Sequence, residues 1–288
     1  MQGKIVVITG SNSGIGKETA VSLASMGATV VLACRNPSRA AEAADEVRRR
    51  SGSDAVHTVA LDLADLGSVQ QAAADIEQRW ERLDVLVNNA GGIWSSRQVT
   101  AQGFEQTFGV NHLGHFLLTR LLLERLRASA PSRIVNLSSV GHHFAPFGMR
   151  FDDLQSERAY VSLEVYARSK LANLLFTREL ARRIDPSTVT VNAVHPGPVR
   201  SGFGMDGDMG GVQGAMNRVV RLFEISPQAG AATSVFVASD SSLQGSTGGY
   251  YVRCKPGHMS RQARSGEGAR RLWDVSEELL AGAGFPAP

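Results

Sequence analysis

The sequence contains few cysteines and no long apolar run. Its 288 residues include two cysteines, Cys34 and Cys254, which lie far apart, so we expect free thiols and no disulfide. A membrane-spanning helix needs about 20 consecutive apolar residues, and the apolar runs here, such as residues 30–34, end after a handful. A strand pattern begins at the N-terminus, so no targeting segment or membrane anchor is expected. We therefore expect a soluble, cytoplasmic protein.

Charge of a single sign is also lacking. Lys and Arg together number 30 and Asp and Glu 27, which gives a formal net charge of +3, and these charges are scattered along the chain. A nucleic-acid-binding surface is therefore not expected. With 43% hydrophobic residues the chain can bury a large core, and collagen-like or disordered compositions are excluded.

Short β-branched apolar runs alternate with stretches of helical periodicity along the chain. The predicted strands are residues 5–9, 29–33, 56–60, 85–88, 134–137 and 189–194. The predicted helices are residues 16–26, 38–50, 68–82, 104–128 and 160–183. Continuously apolar strands separated by helices predict an α/β fold, a single-domain Rossmann-type doubly wound parallel sheet with helices on both faces.

No linker, repeat or charge run interrupts this alternation, so we expect one domain over residues 1–288. Two segments, residues 141–159 and 201–226, break the rhythm. Long irregular segments in a compact α/β domain are usually binding loops or lids, and we expect residues 201–226 to form a substrate lid. Residues 281–288 are expected to be a flexible tail.

A glycine-rich turn follows the first predicted strand. Its glycines permit a tight turn and a close backbone approach to a pyrophosphate, while the N–H groups of the following helix face the anion. The candidate cofactor-binding residues of this turn are Gly10, Ser11, Asn12, Ser13, Gly14, Ile15 and Gly16. A plain loop is the alternative, and the position between a strand and a helix favours the cofactor site.

The second predicted strand ends without the carboxylate that usually binds the ribose of NAD. Cys34 cannot take that role, whereas Arg35 carries a planar cation suited to a 2′-phosphate, with Asn36 beside it. NADP(H) is therefore favoured over NAD, and a solvated surface arginine is the alternative. Asp62 and Leu63, after the third predicted strand, are candidates to contact adenine, and Asp62 is alternatively a helix N-cap.

Tyr166 and Lys170 lie four residues apart in a predicted helix, so their side chains project from one face. A free phenol has a pKa of about 10 and exchanges protons poorly near neutrality. A neighbouring cation would stabilise the phenolate, and Lys170 could provide it. Because such pairs are common by chance, their interpretation depends on the rest of the sequence.

Five further motifs accompany this pair. They are the glycine-rich turn, Asn88-Asn89-Ala90-Gly91, Asn111, Ser138-Ser139 and His195-Pro196-Gly197. In this order, together with Tyr166-x-x-x-Lys170, they resemble the short-chain dehydrogenase/reductase family. Residues 110–116, 139–143 and 169–173 and the sequence around Trp273 are similar to its retinol-dehydrogenase-like branch.

The resemblance implies a catalytic set of four residues. Tyr166 would exchange the proton of the substrate oxygen while a hydride moves between the substrate carbon and the nicotinamide. Lys170 would hold the nicotinamide ribose and lower the pKa of the phenol. Ser139, preferred to Ser138, would hydrogen-bond the substrate oxygen. Asn111 would hold a water that extends a proton relay from Lys170.

The resemblance also implies contacts to the cofactor beyond the glycine-rich turn. Asn88 would link neighbouring strands by hydrogen bonds, and Gly91 would let the backbone approach adenosine. Ser201 stands where the family often has Thr and keeps the hydroxyl. The implied cofactor-binding residues are Asn89, Ala90, Gly91, Tyr166, Lys170, Pro196, Gly197, Val199 and Ser201.

The interval between Ser139 and Tyr166 is long for the family, so it contains an insertion. Apolar residues on it and on the later Gly/Met-rich segment would form an adaptable pocket for a bulky hydrophobic substrate, unless they only pack the loops. The candidate pocket residues are Trp94, His143, Phe144, Phe203 and Met205. The histidine pairs 112/115 and 142/143 lack a carboxylate or thiolate at ligand spacing, so no metal site is predicted.

The leading interpretation is an NADP(H)-dependent oxidoreductase that interconverts a ketone or aldehyde with an alcohol, running as a reductase. One alternative is reduction of a conjugated C=C bond by the same residues. Another is a non-catalytic NADPH-binding sensor or scaffold, although such proteins tend to lose the Tyr or the Lys. Residues 104–128 and 160–183 correspond to the dimer surface of many relatives, so a homo-oligomer stands beside a monomer.

Overall fold

The structure, a computed structural model, describes residues 1–197 and 226–287. Their strands form one sheet, in the order β3-β2-β1-β4-β5-β6-β7-β8, and all neighbouring pairs are parallel except β7 with β8. The strands are β1 Ile5–Thr9, β2 Thr29–Cys34, β3 Val56–Ala60, β4 Val85–Asn88, β5 Ser132–Leu137, β6 Val189–His195, β7 Tyr250–Val252 and β8 Lys255–Pro256.

Helices cover both faces of this sheet. They are α1 Gly14–Ser25, α2 Pro37–Ser51, α3 Leu66–Arg79, α4 Gln106–Phe108, α5 Gly114–Ala128, α6 Ser162–Arg183, α7 Pro227–Ser239 and α8 Gly266–Gly282. A π-helical segment, Gly109–Leu113, joins α4 to α5, and 3-10 turns lie at Val140–Phe144 and Ser241–Leu243. The predicted α/β fold with a doubly wound parallel sheet is confirmed.

Two apolar cores lie on the two faces of the sheet. Val6 and Ile8 join the core formed with α1, α2 and α7, whereas Val7 joins the larger core formed with α3, α5, α6 and α8. Alternate residues of a strand point to opposite faces, so a strand covered on both sides needs apolar residues at every position. This is the physical origin of the continuous apolar runs in the sequence.

The predicted elements are found with shifted ends, and one predicted cap is wrong. Asp65, and not Asp62, is the N-cap of α3, because the Asp65 side chain accepts a hydrogen bond from the N–H of Gly67 at 2.9 Å. The Asp62 carboxylate instead accepts from the N–H of Ala64 at 3.0 Å, within the loop before the helix. The predicted helix 104–128 is interrupted by the π-helical segment.

The elements after β6 were not predicted. Strand β7 has only three residues and β8 only two, too few for a period-two pattern to stand out. Both cysteines are free, with Cys34 buried and Cys254 partly exposed. Within residues 1–197 and 226–287, no helix has the combination of length and apolar character that would let it cross a bilayer.

The C-terminal helix α8 belongs to the larger core. Leu272 and Leu280 are completely or almost completely buried. The Trp273 ring packs edge-on against Phe116 of α5, with ring centroids 4.9 Å apart. Trp273 also contacts α6, because the guanidinium of Arg183 at the end of α6 lies 4.4 Å from the centroid of the Trp273 ring. Helix α8 therefore joins α5 and α6.

Residues 281–287 differ from the flexible tail that was expected. Phe285 packs against the larger core, and Arg120 of α5 donates to the carbonyl oxygens of Phe285 at 2.7 Å and Pro286 at 3.1 Å. Arg120 also pairs with Glu277 at 2.5 Å. The apolar ring and the buried arginine supply the contacts that hold this segment on α5.

Removing the Leu272 side chain tests whether α8 is integral to the fold. Because Leu272 is 1% exposed, Leu272→Ala leaves a cavity and should lower the free energy of unfolding by about 2 to 5 kcal/mol in a urea titration. Met26→Ala is the control, since Met26 is 45% exposed, and it should change stability by about 0.5 kcal/mol or less. Equal small effects of both changes would contradict the packing of α8.

Candidate active site

The candidate site lies at the carboxyl ends of the parallel strands. In an open α/β sheet, ligands bind outside this edge, at the point where the strand order reverses. Here β1 pairs with both β2 and β4, so the reversal falls between β1 and β4. The glycine-rich turn, the segment after β4, Ser139 after β5 and the segment after β6 all follow strands that end at this edge.

The turn between β1 and α1 depends on its glycines. Gly10 and Gly14 have φ values of +62° and +55°, in the region that favours glycine. At Gly16 an added Cβ would lie 2.5 Å from Asn89 Nδ2 and 2.6 Å from the Gly10 carbonyl oxygen. The N-cap Ser13 makes no side-chain capping bond within the described residues, so the first N–H groups of α1 are left for an anion.

Thr9 and Asn89 hold this turn against the segment after β4. Asn89 Nδ2 donates to the carbonyl oxygens of Thr9 at 2.8 Å and Gly10 at 3.2 Å. The N–H groups of Asn89 and Ala90 both donate to Thr9 Oγ1 at 3.0 Å. Asn88 instead donates to Thr119 and Asn136 and so ties β4 to its neighbours. These hydrogen bonds therefore hold the glycine-rich turn and the segment after β4 together.

Arg35 directly follows β2, and no carboxylate of the described residues pairs with it. Arg35 is exposed, and within residues 1–197 and 226–287 it makes no ion pair or hydrogen bond. Asn36 beside it is the N-cap of α2, and its side-chain oxygen accepts from the N–H of Arg39 at 3.0 Å. Cys34 is buried with its Sγ 3.7 Å from Ser11 Oγ. Leu63, after β3, is buried against Gly114.

Tyr166, Lys170 and Ser139 converge at the start of α6. Lys170 Nζ lies 5.5 Å from the centroid of the Tyr166 ring. An added Cβ at Gly141 would lie 3.3 Å from Ser139 Oγ and 3.4 Å from Tyr166 Cε1, so these two side chains lie next to each other beside Gly141. Ser139 Oγ also accepts from the N–H of Gly141 at 3.0 Å. Ser138 has a different contact, because its buried hydroxyl donates to the Lys170 carbonyl oxygen at 2.7 Å.

Asn111 lies in the π-helical segment and links three parts of the site. Its Oδ1 accepts from the N–H of Gly92 at 2.8 Å, and its Nδ2 donates to the Gly92 carbonyl oxygen and to Ser169 Oγ, both at 2.9 Å. At Gly91 an added Cβ would lie 3.0 Å from Asn111 Oδ1 and 3.3 Å from Lys170 Nζ. Gly91 therefore leaves the space in front of the ammonium open. Single-turn π-helices are frequent at functional sites.

Burial shifts both titratable groups toward their neutral forms. Burial raises the pKa of Tyr166 to about 12, and the nearby Ser139 hydroxyl offsets this only in part. Burial lowers the pKa of Lys170 to about 8. The lowering of the phenol pKa by Lys170 stays a prediction. The Lys170 Nζ donates to the Leu137 carbonyl oxygen at 3.4 Å.

The predicted substrate residues are only partly brought to the site. Trp94 packs on Gly92, beside the Asn111 contact, since an added Cβ at Gly92 would lie 2.6 Å from the indole ring. His143 is exposed, and Phe144 is 63% exposed next to the site. Pro196 and Gly197 directly follow β6. Val199, Ser201, Phe203 and Met205, and the predicted lid except Ser226, lie outside the described residues.

Two residues near the site were missed by sequence reasoning. The Tyr250 ring packs edge-on against His142, with centroids 5.4 Å apart. Burial, and then the nearby Tyr166, raises the pKa of Tyr250. No signal could have found Tyr250, because its strand is short and pairs with β6 only in space. In the sequence, His142 was considered only as half of a histidine pair for which no metal site is predicted, although it lies three residues after Ser139.

Comparison with known proteins agrees with this arrangement. A family model described as short chain dehydrogenase matches residues 4–151. The mouse protein "Retinol dehydrogenase 11" is 45% identical over 283 residues, covering 97% of this chain and 87% of the relative. The chain belongs to the short-chain dehydrogenase/reductase family. The human "Retinol dehydrogenase 12", 46% identical over 280 residues with the same coverage, likewise places it in the retinol-dehydrogenase-like branch.

Solved structures of this family share the fold. A protein from Mycobacterium paratuberculosis matches with a TM-score of 0.78 at 33% identity, covering 100% of this chain and 96% of that one. A 3-ketoacyl-(acyl-carrier-protein) reductase from Brucella melitensis, complexed with NADH, matches with a TM-score of 0.67 at 25% identity, covering 87% and 96%. An NAD(P)-dependent gluconate 5-dehydrogenase from Beutenbergia cavernae, with bound NADP, matches with a TM-score of 0.69 at 27% identity, covering 88% and 96%.

As a short-chain dehydrogenase/reductase, the protein is an oxidoreductase that acts on alcohol or carbonyl groups with a nicotinamide cofactor. The Brucella and Beutenbergia structures differ in their cofactor, since one holds NADH and the other NADP. A preference between the two cofactors must therefore come from this chain's own residues at the end of β2.

Lys170→Met tests the cost of burying the ammonium. Because burial lowers the pKa of Lys170 from 10.5 to about 8, the buried cation costs about 3 kcal/mol of folding free energy below pH 8. Replacing it with an apolar side chain of similar size should raise the free energy of unfolding at pH 7 by about 1 to 3 kcal/mol.

The size of this effect depends on pH in a defined window. Between about pH 8 and 10.5 the folded wild type loses its proton while the unfolded chain keeps it, so the wild type gains stability and the difference should vanish. Urea unfolding near pH 7 and near pH 10 measures this, with the exposed Lys255→Met as the control. A variant that is less stable than the wild type at pH 7 would contradict the cost.

Proposed function

We propose that this short-chain dehydrogenase/reductase uses NADP(H) to interconvert a bulky hydrophobic ketone or aldehyde with its alcohol, and that it works as a reductase. The observation that carries the proposal is the convergence of Ser139, Tyr166 and Lys170 next to the segment after β4, which is hydrogen-bonded to the glycine-rich turn. The relatives named retinol dehydrogenases support a hydrophobic alcohol or aldehyde as the substrate class.

The residues at the strand edge fit a nicotinamide dinucleotide. The turn from Gly10 to Gly16 has positive-φ glycines and uncapped N–H groups at the start of α1, which suit a pyrophosphate. Gly91 leaves space in front of Lys170, which would hold the nicotinamide ribose. When bound, the cofactor supplies or accepts the hydride.

The protonation states of Tyr166 and Lys170 at neutral pH suit carbonyl reduction. With its pKa raised to about 12, the Tyr166 phenol is protonated at neutral pH and can donate a proton to a carbonyl oxygen. Ser139 would hydrogen-bond the same oxygen, since its hydroxyl lies beside the Tyr166 ring. Lys170, with its pKa near 8, is charged at pH 7 and would stabilise the phenolate that remains. Asn111 would hold the water that returns a proton.

Arg35 supports NADP(H) as the cofactor. It follows β2, the strand next to the glycine-rich turn, and its guanidinium has no ion-pair partner among the described residues. An unpaired, exposed guanidinium at this position can bind a 2′-phosphate with two parallel hydrogen bonds. A carboxylate, which would select the 2′-hydroxyl of NAD, is not at the end of β2.

Apolar side chains around Ser139 support a hydrophobic substrate. Val140, the next residue, is 46% exposed, and Phe144 at the end of the same 3-10 turn is more exposed still. Trp94 lies in the segment after β4, the strand next to β5. An aliphatic and aromatic surface next to the reacting group favours a bulky apolar ketone or aldehyde.

Tyr166→Phe tests the proposed chemistry. The variant keeps the ring but lacks the proton that goes to the substrate oxygen, so NADPH oxidation with retinaldehyde or a phenyl ketone should fall by about 100-fold or more. Affinity for NADPH, measured by fluorescence titration, should stay within about threefold, since the ring remains in place.

Product analysis decides between the proposal and its alternatives. An alcohol product supports carbonyl reduction, whereas a saturated carbonyl product would show C=C reduction. NADPH binding by the wild type without turnover of any carbonyl probe would favour a sensor. Undiminished turnover by Tyr166→Phe would remove this phenol from the reaction.

Arg35→Ala tests the cofactor preference. Loss of the guanidinium should weaken NADPH binding by about 10-fold or more, because a charge-assisted bidentate contact is lost, and should leave NADH binding unchanged. The control is Arg49→Ala on the exposed end of α2, which should alter neither affinity. Equal weakening of NADPH and NADH by Arg35→Ala would contradict a 2′-phosphate contact.

A further inference from the structure

His142 lies in the 3-10 turn directly after Ser139 and is completely buried. Its backbone N–H donates to the Ser139 carbonyl oxygen at 3.2 Å, and its ring Nδ1 lies 2.5 Å from the same oxygen. On the other side of the ring, the N–H of Ser260 donates to Nε2 at 3.1 Å. Both ring nitrogens therefore have a backbone partner.

These partners fix the tautomer of the His142 ring. A backbone N–H can only donate, so Nε2 must accept from Ser260 and carries no proton. The proton of the neutral ring is therefore on Nδ1, which donates to the Ser139 carbonyl oxygen. Burial lowers the pKa of His142, which keeps the ring in this neutral form.

Two donors from one residue thus hold the carbonyl oxygen of Ser139. Fixing this oxygen fixes the plane of the peptide bond after Ser139, and with it the extended backbone of Ser139, with φ −157° and ψ 155°. The backbone in turn sets the direction of the Ser139 side chain, which lies beside Tyr166 and accepts from the N–H of Gly141. Small displacements of a reacting group are costly, since about 1 Å can lower a rate by about 100-fold.

The second partner connects this serine to a distant part of the chain. Ser260 lies between β8 and α8 and is buried, with its own hydroxyl accepting from the N–H of Ala263 at 3.2 Å. The His142 ring packs at nearly a right angle to the ring of Tyr250 of β7. The ring is therefore held from the C-terminal side of the molecule by a hydrogen bond and by an aromatic contact.

We propose that His142 is a positioning residue for the reaction: it holds Ser139 toward Tyr166 and couples that serine to the segment around Ser260. His142 acts through the backbone of Ser139 and needs no contact with substrate or cofactor. This role for His142 rests on the proposed function, in which Ser139 hydrogen-bonds the substrate oxygen.

Two amide variants separate the two contacts of the ring. In His142→Asn the shorter amide can donate to the Ser139 carbonyl oxygen but cannot reach Ser260. In His142→Gln the longer amide can accept from Ser260 but is displaced from the Ser139 oxygen. Both variants lose the aromatic packing, so a purely structural role predicts similar losses of activity in the two.

We expect kcat with retinaldehyde and NADPH to fall by about 10- to 100-fold in His142→Gln and by about threefold or less in His142→Asn. KM and the affinity for NADPH should change little in either variant, since no binding group is removed. The matched control is His258→Gln, an exposed histidine on the segment of Ser260, which should leave kcat unchanged. Equal losses in the two His142 variants would overturn the proposal.

A double-mutant cycle tests whether the effect passes through Ser139. If His142 acts only by placing this hydroxyl, His142→Gln should cause no further loss of kcat when introduced into Ser139→Ala. If the two losses instead multiply, His142 acts independently of Ser139, and the proposal fails.

A measurement on the wild type does not depend on turnover. NMR of protein labelled with ¹⁵N at histidine should show His142 as a neutral ring protonated at Nδ1, with its resonances identified by their loss in His142→Gln. A ring protonated at Nε2 would overturn the proposed contacts with Ser139 and Ser260. Absence of carbonyl reduction by the wild type would count against the proposed function alone, so the two failures are distinguishable.

Discussion

The burial of one ammonium group, that of Lys170, is the constraint on which the site depends. The side chain is 4% exposed and, among the described residues, has no carboxylate partner, so its pKa falls to about 8. Burying such a cation lowers the free energy of unfolding. Because its pKa lies only slightly above neutral pH, the group is charged at pH 7 but close to losing its proton. Its use is electrostatic: beside Tyr166 it can stabilise the negative charge that proton donation leaves on the phenol.

The polar residues around this cation are neutral and almost all satisfied. Asn111 uses its amide to join the segment after β4 to α6. Thr9 accepts two N–H groups, so its own proton points to His115 Nε2 at 2.9 Å, and His115 in turn contacts the Asn111 carbonyl oxygen through Nδ1 at 3.2 Å. His142 holds Ser139 in the same way. Networks of this kind rigidify a site without adding charge next to the ammonium.

Periodic patterns in the sequence predicted the fold and placed Tyr166 and Lys170 on one helix face, whereas Ser139 was added by the resemblance to the family. Buried parallel strands and amphipathic helices carry periodic signals, and a helical spacing of four places two side chains on one face. The role of His142, the position of Tyr250 and the burial that raises the phenol pKa depend on long-range packing, which local patterns do not encode. Asp65 was passed over as the cap of α3 because both it and Asp62 precede the helix, and only the hydrogen bonds distinguish them.

The central claim is that the protein moves a hydride to a carbonyl carbon while Tyr166 protonates the oxygen. Incubation of retinaldehyde with NADPH carrying deuterium at C4 of the nicotinamide, followed by mass spectrometry of the product, tests it most directly. The account predicts retinol with one deuterium on the carbinol carbon and no deuterium elsewhere. Deuterium on a carbon of a former C=C bond, or no labelled product from retinaldehyde and phenyl ketones, would contradict it.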